Sequence, residues 1–154
     1  MANRPAKPAN MPWMLPALTV KDADAAVAFY QKAFGFEKRF SMPGPDGRTI
    51  HAELSWHDGL FMIGPENDAG PCKSPATLGV RPSSSLYVYC DDVDALFKRA
   101  TAAGAKVDMP TQNQFWGDRM CALIDPDGYL WCFATNVADF DPTKAPDGCP
   151  AKQS

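Results

Sequence analysis

The feature that most constrains this chain is that it repeats itself. The run LTVKDADAAVAFYQKAFGFE, starting at Leu18, and the run YVYCDDVDALFKRATAAGAK, starting at Tyr87, align without a gap at an offset of 69 (87 − 18 = 69). At that offset Asp22 meets Asp91, Val27 meets Leu96, Gly35 meets Gly104, and the turn Asp58-Gly59 meets Asp127-Gly128. Landmarks so far apart on one offset mark a duplicated supersecondary unit.

Each copy reads the same way. An apolar strand (residues 15–20; 86–90) ends in Asp, and a helix follows whose apolar residues share one stripe: Ala26, Phe29, Tyr30 and Ala33, then Val93, Leu96, Phe97 and Ala100. Asp22 and Asp91 stand as N-caps and Gly35 and Gly104 at the C-terminal stop. Three strands complete each copy, the last two as a hairpin across an Asp-Gly turn: 49–56 with 60–65, and 119–124 with 129–134. The fold class is therefore α+β, two tandem βαβββ modules in one domain spanning 13–140. Module one covers 13–66 and module two 83–137, joined by a Pro- and Gly-rich linker, 67–82, that could serve as a flap over a cavity. The ends, 1–12 and 141–154, are rich in Pro, Lys and Ala and read as mobile tails.

Composition narrows the function. With 154 residues, 45% hydrophobic and 21% charged, the chain can bury one globular core. Its 15 basic and 18 acidic residues are interleaved, so no basic stripe exists to hold nucleic acid. No apolar run approaches the roughly 20 residues of a membrane span, and the N-terminus lacks a secretory apolar stretch, so a cytoplasmic protein is expected. The five cysteines (Cys72, Cys90, Cys121, Cys132, Cys149) form no CxxC pair and read as reduced thiols, three of them buried in strands. The loop MPGPDG is a turn whose prolines remove the amide donors a phosphate site needs. Two histidines cannot assemble a nucleophilic triad with any definite partner.

The segments FYQKAFGF, ending at Phe36, and DPDGYLWCFAT, beginning at Asp125, resemble the vicinal oxygen chelate superfamily of glyoxalases, extradiol dioxygenases and bleomycin-resistance proteins, over residues 15–137. The resemblance implies two four-stranded sheets cupped around a ligand cavity with helices outside. It also implies a homodimer in which chains share the groove. Enzymatic members hold a divalent metal through His, Gln or Glu on the first and last strand of each module, where the cation chelates two substrate oxygens. Counting from the Asp residues and Asp-Gly turns puts those slots at Leu15, Ile63, Ser85 (or Ser84) and Cys132, none a good ligand for a hard cation. No metal or other cofactor is expected, and binding is expected in preference to catalysis. The rival reading displaces the ligands of a metal-dependent enzyme to His51 and Glu53, two apart on one strand face, with His57 nearby.

If Leu15 and Ile63 point into the cavity, alternation also turns Trp13, Ala17, Thr19, Phe61, Leu130 and Cys132 inward, and sends Leu18, Val20, Met62, Trp131 and Phe133 under the helices. The ligand-binding set expected is Trp13, Ala17, His51, Phe61, Phe115, Trp116, Arg119 and Leu130, suited to an aromatic or amphiphilic organic molecule. Within the run Gln114-Phe115-Trp116-Gly117-Asp118-Arg119, similar to a WGDR segment of the non-metal branch, Trp116 would stack on the ligand. Arg119 would either grip its carboxylate or carbonyl groups, or brace the strand through Asp118 or Glu53.

Overall fold

The computed structural model describes residues 4–67 and 70–147. Its elements run β1 (Ala17–Val20), α1 (Ala23–Ala33), β2 (Glu37–Pro43), β3 (Thr49–Trp56), β4 (Gly59–Pro65), a four-residue α2 (Pro75–Leu78), β5 (Ser85–Tyr89), α3 (Val93–Ala102), β6 (Lys106–Asn113), β7 (Asp118–Ile124) and β8 (Leu130–Asn136). They form two four-stranded sheets, ordered β1-β4-β3-β2 and β5-β8-β7-β6, each closed by one parallel pair. Strand, helix and three strands thus occur twice, as the repeat requires.

The helices form where the apolar stripes lie, and their caps explain their limits. Asp22 accepts from the Ala25 amide at 2.9 Å, and past Phe34 the chain turns through Gly35 at φ +81°. In the second copy Asp92, and not Asp91, is the N-cap, accepting from Ala95 at 2.9 Å. The caps are therefore 92 − 22 = 70 residues apart, one more than the sequence alignment. Gly35 and Gly104 keep the offset of 69, because α1 has 11 residues and α3 has 10. The hairpins differ as well. The second closes Ile124 onto Leu130 across five residues, whereas the equivalent pair of the first, Ser55 and Leu60, has four between them and is followed by one further pair, Trp56 with Gly59, so β8 begins one residue later than expected.

One face of each sheet packs with both helices into a shared core. Tyr30, Phe34 and Phe36 from module one meet Trp131 and Phe133 from module two at ring separations of 4.7 to 6.2 Å. Removing each such ring from water contributes roughly 1.5–3 kcal/mol, so neither module is complete alone. Polar clamps fix the join. Arg99 of α3 donates to the carbonyls of Ala33 and Phe34 at the end of α1, at 3.1 and 2.9 Å. Tyr129 exchanges hydrogen bonds with both backbone groups of Thr19, and Trp56 donates its indole N–H to the Tyr89 carbonyl at 2.8 Å.

The linker is not a free flap. The Ala76 amide donates to the Asp127 carbonyl at 2.9 Å, pinning α2 to the second hairpin loop, and Ser74 is fully buried. Residues 68 and 69 lie outside the described residues. The chain after 140 is also less free than expected: Phe140 packs on Phe115, Pro142–Lys144 form a 3-10 turn capped by Asp141, and Ala145 is buried. The remaining parts of both tails, residues 1–3 and 148–154 with Cys149, lie outside the described residues. Cys90 and Cys121 are buried as expected, but Cys132 is only half-buried.

Glu66 ties the linker down by accepting from the Ser74 amide, the Ser74 hydroxyl and the Thr77 hydroxyl at 2.6 to 2.8 Å, and these bonds, led by that from Thr77, hold its carboxyl down at about 2. The Arg119 fork likewise holds Asp94 at about 2. A carboxyl lowered by folding stabilises above its unfolded value, and that stabilisation is lost as pH falls through the folded value. Stability should therefore decline between about pH 4.5 and about pH 2. The double variant Glu66→Gln, Asp94→Asn should start lower and decline less over that window, read from circular-dichroism melts at successive pH values.

Candidate functional site

The faces of the sheets that do not pack on the core are open, and β5 supplies the centre of one of them. Ser85, Tyr87 and Tyr89 alternate with the core-facing Leu86 and Val88, leaving Tyr87 and Tyr89 44% and 57% exposed. Their rings meet edge to face at 5.5 Å. Opposite them, at the start of β7, lies Asp118, only 2% exposed. Its Oδ2 accepts from the Tyr87 hydroxyl at 2.8 Å, the Tyr89 hydroxyl at 3.0 Å and the Trp116 indole N–H at 3.1 Å, while Oδ1 accepts from the Asn136 amide at 3.1 Å. Burial pushes the Asp118 carboxyl up, but the four bonds together outweigh it and hold it below the usual carboxylate range. Burial and the bond to Asp118 push Tyr87 up to about 12, and the same bond raises Tyr89, so both phenols keep their protons.

Beside this cluster runs a groove of about 620 Å³ along the outer edge of β5, between that strand and the first hairpin. Met14, Phe36, Trp56, His57, Asp58 and Leu60 contribute to its other walls, together with the backbone and side chains of β5. His57 reaches it through a left-handed backbone, φ +51°, which the two-residue turn requires.

Several residues expected to meet a ligand stand elsewhere. Phe61 and Ile63 are on the core face, 6% and 1% exposed, with Phe61 stacked edge-on to Tyr30 and Trp131, although Phe61 also lines the groove and Ile63 does not. Met62 takes the open face instead, paired with Ala17. The cause is the extra residue in the second hairpin loop: the partner of Cys132 across the repeat is 132 − 70 = 62, and a one-residue shift reverses the face of every side chain. Arg119 is turned to the helix side, where Asp94 takes its guanidinium in a fork at 2.6 and 2.8 Å and Asn113 and Thr111 each accept one further N–H. Neither Asp118 nor Glu53 is its partner. Trp13 is 80% exposed with Lys7 over its ring, outside the groove. Phe115 packs on Trp116 and Phe140. Ala17, Leu130 and His51 lie on open faces, the His51 Nε2 3.8 Å from a Glu53 oxygen, and Trp116 stands in the turn before β7, partly exposed and bonded to Asp118.

The four positions that answer a metal site on the open faces are thus Leu15, Met62, Ser85 and Cys132: no donor, a thioether, a hydroxyl and a thiol. Among the described residues no three His, Cys, Asp or Glu side chains converge. This donor set does not fit a divalent cation of oxygen and imidazole preference.

A profile of the Glyoxalase/Bleomycin resistance protein/Dioxygenase superfamily matches residues 13–133. The chain belongs to that superfamily. Within it, the chain is 37% identical over 131 residues to an uncharacterized protein of Mycobacterium bovis, covering 83% of this chain and 86% of that one. Among solved structures, TioX from Micromonospora sp. ML1 is 31% identical with a TM-score of 0.65, covering 82% of this superfamily member and all of that chain. The fosfomycin resistance protein FosX of Listeria monocytogenes, solved with Mn(II) and sulfate, is 19% identical with a TM-score of 0.62 over 82% of this chain and 90% of that one, a likeness of fold. No helix among the described residues is long and apolar enough to cross a membrane.

Proposed function

We propose that this superfamily member binds an aromatic organic molecule without a metal, and does so in the cytoplasm as a homodimer. The observation that carries the reading is the exposed Tyr87-Tyr89 face, fastened by a buried carboxylate and bordered by a groove of about 620 Å³. That volume is in the range that accepts a drug-sized molecule. Aromatic rings held by hydrogen bonds at their tips keep their faces free, and they lose little conformational entropy when a ligand stacks on them. Donor chemistry at Leu15, Met62, Ser85 and Cys132 supports a metal-free site. A second copy is the natural cover for the open faces, which expose Phe40, Met42, Tyr87 and Tyr89 together. The superfamily includes bleomycin resistance proteins, which supports sequestration of a toxic small molecule as one physiological use of such a site.

Purified without chelator, the protein should carry far less than one equivalent of Ni, Zn, Fe or Mn, and should run at twice its chain mass in light scattering. A fused-ring aromatic at 100 times its Kd should add about 2.7 kcal/mol of stability, raising Tm by roughly 5–11 °C, with EDTA making no difference. Near-stoichiometric metal whose removal abolishes that shift would overturn the reading and favour an enzyme built on His51 and Glu53. A His51→Ala variant that also lost the metal would locate it there.

A further inference from the structure

We infer that the site discriminates by charge: it takes an aromatic ligand bearing a cationic or N–H-donating group and rejects an acidic one. The inference rests on the binding reading above and goes beyond it to the class of ligand. Its basis is an inventory of donors. An ionised carboxylate can only accept, so each bond to Asp118 spends a proton of its neighbour. Tyr87 and Tyr89 each have one O–H and give it to Asp118. Trp116 has one N–H and gives it too, and the Asn136 amide divides its N–H groups between Asp118 and the Ala138 carbonyl. A ligand lying on this face therefore meets phenol oxygens that can accept and no free side-chain donor within the cluster.

The groove adds little positive charge. Among the described residues no Lys or Arg lines it, and its wall carries one carboxylate, Asp58, next to the His57 imidazole. Arg119, next to Asp118 in sequence, cannot neutralise it, because alternation puts its guanidinium on the other face of β7, spent on Asp94. The buried Asp118 charge is spread outward through two phenols whose oxygens it polarises, and the faces of the same rings attract cations through their quadrupoles. On the Tyr87-Tyr89 face a carboxylate or phosphate would meet acceptors and ring faces that repel it, with the His57 imidazole of the adjoining groove as the one basic side chain nearby.

The test uses two probes with one ring system, 9-aminoacridine, a cation at neutral pH, and acridine-9-carboxylate, an anion, titrated by fluorescence into the full chain. The wild type should bind the amine at least about tenfold more tightly. Asp118→Asn should shrink that ratio severalfold while leaving the carboxylate's affinity unchanged or improved, and circular dichroism reports whether the variant folds. Where it does not fold, the wild-type ratio alone decides. Equal affinities, a preference for the carboxylate, or a ratio unchanged in folded Asp118→Asn overturns the inference and leaves the binding reading standing. Failure of both probes to bind the wild type overturns the two together.

Discussion

Replacing Asp125 with alanine is expected to remove about 3–5 kcal/mol of folding stability, a large part of what a domain of this size has. Asp125 is 3% exposed and sits where the second hairpin loop meets the shared core. Its Oδ1 accepts from the amides of Asp127 and Tyr129, both at 2.9 Å, which gives the five-residue loop its shape. Its Oδ2 accepts from the Tyr30 hydroxyl of module one and the Trp131 indole of module two, both at 2.8 Å. Alanine would strand four donors in or near a dry aromatic core, and each such donor costs about 1–3 kcal/mol before relaxation. Asparagine should cost less, since its oxygen keeps the loop amides while its NH2 faces the Trp131 N–H. Burial pushes the Asp125 carboxyl up, against the bonds from Trp131, Tyr129 and Tyr30 that lower it. A raised carboxyl means that ionisation works against folding, so its penalty grows as pH rises from the ordinary value of 3.8 through the folded one. The asparagine variant should lose that dependence. Urea melts of both variants at neutral pH check the order; an alanine variant within 1 kcal/mol of wild type would mean that water reaches the loop.

How much of this was legible in the sequence follows from which physical rule decided each feature. Periodicity and caps are local, so α1, α3 and the two hairpins could be read from stripes, Asp residues and Asp-Gly turns, and the βαβββ repeat with them. The facing of β4 was not legible, because it depends on parity. An ungapped offset of 69 fits the glycines and turns, while β1 against β5 and β4 against β8 follow 70, as Leu18 opposite Ile63 and Val88 opposite Phe133 demonstrate. The single residue gained in the second hairpin exchanged Phe61 and Ile63 for Met62 on the open face. Asp118 carried a weak signal: an acidic residue opening a strand, beside a tryptophan and across from a Tyr-Val-Tyr strand. Its role stayed hidden because its partners Tyr87, Tyr89 and Asn136 are 31, 29 and 18 residues away. The same distance hid Asp94 from Arg119, and with it the polarity of the site, which the sequence alone presents as a donor for acids.

Gly117→Ala should produce the second large effect and strike stability and binding at once. Gly117 adopts φ +101°, outside the range alanine accepts without strain, and a Cβ there would overlap the Ala138 carbonyl oxygen. That carbonyl cannot retreat freely, because the amides of Val137 and Ala138 both donate to the Gly117 carbonyl, at 2.9 and 3.0 Å. Strain and clash together should cost about 2–4 kcal/mol. Gly47→Ala supplies the control, since Gly47 has φ +80° but open space around its missing Cβ, so it should lose only about 1 kcal/mol. The difference between the variants isolates the clash from the backbone preference. Binding adds a second readout. Gly117 lies between Trp116 and Asp118, and the turn that holds it also bonds the Gln114 amide to the Asp118 carbonyl at 2.7 Å. Shifting it should misplace both side chains, and a misplacement on the order of 1 Å is enough to weaken a preorganised contact about tenfold or more. Gly117→Ala should therefore lose 9-aminoacridine affinity by at least that factor at a temperature where it is still folded, while Gly47→Ala keeps it. Equal losses in the two variants would disconnect the Trp116-Gly117-Asp118 turn from the site.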